Sequence, residues 1–220
     1  MAEWMSSVGE TGRLVLDLFQ KGGILMYPLL LFSILSLWIF LERCYHLHRA
    51  TARTAELFET VREHLLTHDH EQAYLTAQRY PGPVASVFRV LLQHPLSSRE
   101  NLEEVTTMQA RQELQRLTVG LPLLSLIANL APLLGLLGTV MGMVKAFQQV
   151  ASAQGAVNPS LLASGIWEAL LTTVVGLLVA IPALLFHYAI EQRVKRHAFA
   201  LDHYGTALIR VLTTMEDSHA

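Results

Sequence analysis

Three long stretches nearly empty of charge limit what this chain can fold into. Gly22 to Leu41 (GGILMYPLLLFSILSLWIFL) holds no charged residue, and as a helix rising about 1.5 Å per residue it reaches about 30 Å, the thickness of a hydrocarbon core. A second stretch runs from about Leu117 to Val144, bounded by Arg116 and Lys145. The third runs from about Leu161 to Ile190, and its one charged residue, Glu168, lies within the stretch rather than at its end. In hydrocarbon every backbone N–H and C=O must be satisfied internally, and helices of this length do so. The expected fold is therefore all-α: an integral membrane protein with three transmembrane helices, at 22–41, 119–147 and 161–190, and long helices extending into the cytoplasm.

Charge distribution orients these spans. Of the 220 residues, 52% are hydrophobic and 15% charged, with a formal net charge of -2. No basic excess points to nucleic acid, and Cys44, the only cysteine, excludes an intramolecular disulfide. Nine arginines fall in 42–118 (Arg43, Arg49, Arg53, Arg62, Arg79, Arg89, Arg99, Arg111 and Arg116), none in 146–160, and the tail opens with Arg193, Lys195 and Arg196. Since Lys and Arg flanking short loops stay inside, 42–118 is expected to be cytoplasmic, 148–160 a periplasmic loop, and 191–220 a cytoplasmic C-terminal helix or tail. Arg13 and Lys21 count mildly the other way. Met1 to Gly12 carries Glu3 and Glu10 without a basic n-region, so no cleavable signal is expected and 1–21 reads as a periplasmic amphipathic helix, with Leu14, Val15, Leu18 and Phe19 on its apolar face.

The cytoplasmic stretch reads as helices. Leu57, Val61 and Leu65 recur at spacing four, and Pro81-Gly82-Pro83 marks a break. Ser97 or Ser98, followed by Glu100, Glu103 and Glu104, has the form of a helix start. With no Pro or Gly between Ser97 and Val119, that helix is expected to be able to run continuously into the second span.

Glu168 is the residue that asks for a function. An ionisable side chain inside a span costs a few kcal/mol at least, about 2.5–3.5 on insertion scales, and such residues face a bundle interior or a watery path. If the third span begins near Leu162, Glu168 lies about 9 Å deep and Thr172 and Thr173 about 15–17 Å deep; Thr139 on the antiparallel second span lies about 12 Å deep. A carboxyl and three hydroxyls thus share a narrow band of depth. Glu168 and Thr172 fall on one helix face and Thr173 about 140° from Glu168, so they cannot all point into one pore. The plainer alternatives are that Glu168 only touches the outer headgroups, and that each threonine bonds back to its own helix. Gly135, Gly138 and Gly142, with Ala163, Gly165, Ala169, Gly176, Ala180 and Ala183, allow helices to pack closely, and Pro132 and Pro182 are tolerated in a membrane helix. An ionisable glutamate with small-residue faces makes poor sense in a lone chain surrounded by lipid, so a homo-oligomer is expected.

The runs APLLGLLGTVMG (131–142) and GIWEALLTTVVGLLVAIPA (165–183) resemble the second and third spans of the MotA/TolQ/ExbB proton channel family, closest to its ExbB and TolQ branch. The resemblance is specific over about residues 120–190, with weaker support from Leu41-Glu42-Arg43. It implies a homopentamer in the bacterial inner membrane, N-terminus periplasmic and C-terminus cytoplasmic, whose second and third spans line a central pore holding single-span ExbD-like or TolR-like partners. A TonB-like or TolA-like transducer would complete the machine. Glu168 matches the family's pore glutamate, and Thr139 and Thr173 match threonines facing a partner aspartate on the proton path. No cofactor is implied beyond the proton as cargo. The work driven would be transport energisation, envelope maintenance or motility.

Other readings have less to stand on. His64 and His68, one turn apart on a helix, and His70 suggest a metal site only weakly, lacking a cysteine or a fixed carboxylate motif. With no nucleophile elbow, P-loop or dinucleotide glycine run, the chain is not expected to be an enzyme. The competing function is a non-conducting structural or adaptor membrane protein in which Glu168 serves helix packing.

Overall fold

A computed structural model describes residues 22–50, 53–93, 98–152 and 159–217. Among these the regular structure is entirely helical: α1 Met26–Ala50, α2 Thr54–Leu66, α3 His70–Arg79, α4 Pro83–Gln93, α5 Arg99–Thr118, α6 Leu121–Ser152 and α7 Pro159–Asp217. By length and composition three helical stretches can cross a membrane, within Met26–Tyr45, Arg99–Ser152 and Leu162–Met215, the second interrupted by a turn at 119–120. The segment 1–21, read from sequence as an amphipathic helix, lies outside the described residues, as do 153–158 of the expected periplasmic loop. The described residues divide into two compact units, one combining 22–39 with Leu123–His187 and the other drawing on Phe40–Pro122 and 188–217.

In the first unit α1, α6 and α7 pack around a small core of Leu29, Ile127, Ala128, Ala131, Val179, Ala180 and Ala183. Four of these seven are alanines, so the helices meet at short range. Large apolar side chains instead cover the outside: Leu31, Trp38, Leu133, Leu137, Trp167 and Leu178 are all exposed. That inversion suits lipid, where helix association rests on close packing of small residues rather than on hiding leucines.

The second unit is built like a water-soluble helical bundle. Leu57, Val61 and Leu65 form the buried stripe of α2, and they join Ala73, Val84, Phe88, Leu91, Leu102, Leu201, Leu208 and Leu212 in one core. Phe58 links two aromatic neighbours there, with ring centroids 6.2 Å from Phe88 and 5.6 Å from Tyr204. Local chemistry sets the helix ends. The Asp69 carboxylate caps α3 by accepting from the Gln72 N–H at 2.9 Å, and Pro83 opens α4, where a missing N–H does no harm. Ser98, rather than the undescribed Ser97, caps α5 through the Asn101 N–H.

Two expectations are corrected. α5 does not continue into the second span: it stops at Thr118, and Gly120 takes a left-handed φ of 86° before α6 begins. Glycine adopts that conformation without penalty, and Pro122, just inside α6, suits a helix start rather than an interior. His64 and His68 do not share a helical turn either. α2 ends at Leu66, His68 sits at φ 59°, and the Asp69 N–H closes the turn on the His64 carbonyl at 2.9 Å.

Candidate functional site

The site grows from a ladder of small residues where α6 and α7 run antiparallel. Step by step, Gly165 faces Ala146, Gly142 faces Ala169, Gly138 faces Thr172, Gly135 faces Thr173, and Gly176 faces Ala131. A methyl added at Gly176 would stand 2.7 Å from the Ala131 carbonyl oxygen, and one at Gly135 only 3.0 Å from the Thr173 Cα. Backbone thus touches backbone, closer than any larger residue would permit. Pro132 and Pro182 lie within α6 and α7, both of which remain helical through them.

The three threonines take different places around this ladder. Thr172 is 2% exposed, packs against Gly138 and donates its hydroxyl to the Ala169 carbonyl at 2.7 Å. Thr173 reaches across the seam and donates to the Gly135 carbonyl at 2.9 Å. Thr139, half-buried one turn on from Gly135, lies on the flank of the seam; it donates to the Leu136 carbonyl at 2.6 Å and borders an open groove of about 630 Å³ with Val140, Met143, Val144 and Phe147. All three hydroxyls thus donate within the chain, Thr139 and Thr172 to their own helices and Thr173 across the seam, and of the three Thr139 alone borders the groove.

Glu168 is not alone. The Lys145 ammonium donates to Glu168 Oε1 at 3.1 Å, with the two side chains 52% and 31% exposed. Gly23, at a φ of 70° that disfavours other residues, presents bare backbone to the same carboxylate oxygen, which an added Cβ would push aside. Gly22, Leu25, Gly138, Met141 and Thr172 complete the surroundings, and the space among them is about 10 Å³. That holds one water at most.

Lys145 is the residue that reading the sequence missed, having served only as the end marker of the second span. The signal was present in the ladder. With Gly142 opposite Ala169, three residues onward along α6 bring Lys145 level with the turn of α7 that carries Glu168.

A sequence profile of the MotA/TolQ/ExbB proton channel family matches residues 80–202, more than half of the chain. This chain belongs to the MotA/TolQ/ExbB proton channel family. Among its relatives, a protein named ExbB-like 1 from Synechocystis sp. is 38% identical over 181 residues, 80% of this chain and 70% of the relative. The biopolymer transport protein exbB1 of Vibrio cholerae is 30% identical over 171 residues, covering 76% of this chain and 75% of that one. The Tol-Pal system protein TolQ of Pseudomonas aeruginosa is 31% identical over 127 residues, 56% of this chain and 54% of the relative. The family match takes in both sides of the seam and all four residues singled out in it, Thr139, Glu168, Thr172 and Thr173.

Outside the seam, His197 is buried in the second unit at 8% exposure. Burial holds its imidazole below the ordinary value near 6.5, because the charged form loses hydration. Tyr74, also outside the spans, is lowered first by hydrogen bonding with Gln78 and then with Gln93, whose Nε2 donates to the phenol oxygen at 2.9 Å. Among the described residues no three His, Cys, Asp or Glu side chains gather as a metal site would require.

Proposed function

We propose that this chain is the pore-forming subunit of an inner-membrane complex that couples the proton motive force to work in the cell envelope. Its energised task would be of the kind named in its relatives, biopolymer transport or the Tol-Pal system. The observation that carries this reading is the contrast between a tightly packed seam and a threonine that borders an open groove beside it. Glu168 and Thr172 share about 10 Å³ of space and Thr173 bonds across the α6–α7 seam, while Thr139 borders an open groove along α6. A proton path lined by Thr139 would then form between chains, around a homo-oligomer whose number of copies the family resemblance puts at five. A single-span ExbD-like or TolR-like partner would supply the carboxylate that Thr139 orients, since a hydroxyl both donates and accepts without carrying charge. The N-terminus would lie in the periplasm and the arginine-rich 42–118 segment in the cytoplasm.

The decisive experiment is proton flux into vesicles holding the chain and its genetic neighbour's single-span product, followed with a pH-sensitive dye. Thr139→Val keeps the volume and removes the hydroxyl. We expect normal assembly and at least about a tenfold loss of flux, less than the roughly 10²–10⁴-fold that a proton-transfer group itself contributes, because Thr139 orients such a group. Full flux from Thr139→Val would remove this residue from the path. No flux in the parent complex would favour the non-conducting adaptor, the reading that the internal commitments of Thr172 and Thr173 also suit.

A further inference from the structure

We propose that Lys145 and Glu168 work as one unit, an ion pair that latches α6 to α7, and that Glu168 contributes through this pairing rather than as a carrier of the moving proton. The inference deepens the reading above and rests on it for its flux measurement. Three observations carry it. The ammonium and carboxylate stand 3.1 Å apart on different helices. The pair sits at one end of the small-residue ladder: Gly142 and Gly165 are three residues before Lys145 and Glu168, Ala146 and Ala169 are the residues after them, and a methyl on Gly165 would lie 2.7 Å from the Ala146 Cβ. Finally, the same carboxylate oxygen fills the place of a side chain at Gly23, so the latch also meets the segment that leads into α1.

The chemistry follows from where the charges lie. A carboxylate and an ammonium held together are neutral as a unit, which makes an apolar setting tolerable for both. Removing either partner leaves the other uncompensated, which costs far more than removing both. Lys145 is thus a positioning residue for Glu168, and the two should fail together and recover together.

The test is a double-mutant cycle on the chain co-expressed with its partner, reading proton flux in vesicles and thermal stability of the purified complex. Lys145→Met and Glu168→Gln singly should each lower flux by about tenfold or more, and the combined K145M/E168Q should recover to within about threefold of the parent, a coupling in the range seen for contacting charges. Lys145→Arg, which keeps the cation, should retain flux; a spacer role for the side chain would let Met serve as well as Arg. A double variant no better than Glu168→Gln alone would overturn the inference, because it would mean that the carboxyl itself is needed for the proton. Should the parent conduct nothing, the cycle is still read from stability: recovery in the double variant upholds the latch and additive losses refute it, so the two proposals fail separately.

Discussion

Exchanging a methyl group across the α6–α7 seam tests its register directly. Gly165→Ala places a Cβ 2.7 Å from the Ala146 Cβ, about 1 Å inside ordinary carbon contact, while its next neighbours, Ala146 Cα and the Gly142 carbonyl oxygen, are at a tolerable 3.4 Å. Overpacking of this kind costs about 1–3 kcal/mol. The gain in helix propensity from Gly to Ala offsets about 1 kcal/mol, so the single variant should lose about 0–2 kcal/mol. Ala146→Gly alone loses that propensity and one buried methyl, about 1–2 kcal/mol. In the exchanged pair, Gly165→Ala with Ala146→Gly, the propensity terms cancel and one methyl still fills the gap, giving a net change of about 0 kcal/mol. Gly176→Ala is the control, because its added methyl meets the Ala131 carbonyl oxygen at 2.7 Å, and trimming the Ala131 side chain cannot move a backbone oxygen. Stability would be measured in bicelles by steric trapping, which gives an equilibrium free energy for helix dissociation in a membrane. If the exchanged pair is as unstable as the sum of its single variants, Gly165 and Ala146 do not face each other and the register is wrong.

Thr173→Val removes the hydroxyl that donates to the Gly135 carbonyl; interhelical bonds of this kind in membranes average about 0.6 kcal/mol, so the same trapping assay should register a loss of that order, and a loss above about 2 kcal/mol would mean that Thr173 does more than pack. His197 makes a pH prediction. Its folded-state value is depressed by burial, so as pH falls through about 6.5 the unfolded chain takes up a proton before the folded chain does, and stability drops until the folded value is also passed. Thermal melts of the parent against His197→Leu should therefore diverge below about pH 6.5, the parent losing more, and parallel curves would refute a buried neutral imidazole.

What could be read from the sequence was whatever depends on near neighbours along the chain. The spans follow from length and apolarity, the α2 stripe from Leu57, Val61 and Leu65 at spacing four, and the break before α4 from Pro81-Gly82-Pro83. Where a boundary depends on one residue just past the window considered, it was lost: Gly120 ends the continuity of α5 and α6, one position beyond Val119. His68 failed for a similar reason, since a left-handed residue after a helix end carries no periodic signal. The threonines are harder still. Nothing local distinguishes Thr172, buried against Gly138, from Thr139, open to a groove; only the identity of the facing helix does.

That facing relationship is itself encoded, though across the chain rather than along it. A helix slipped by one residue turns each side chain by about 100°, which would drive the Thr172 side chain off Gly138 and bring larger residues against Gly135 and Gly176, where backbone already touches backbone. The five small-residue steps between Ala131 and Ala146 therefore leave one workable register. Once that register is set, the distance between Lys145 and Glu168 follows from it, with no further freedom than two side-chain rotamers. The order of dependence runs from glycines to charges: the small residues bring the helices near enough for the ammonium to reach the carboxylate. A change at Gly142 or Gly165 should accordingly disturb the ion pair without touching either charged residue.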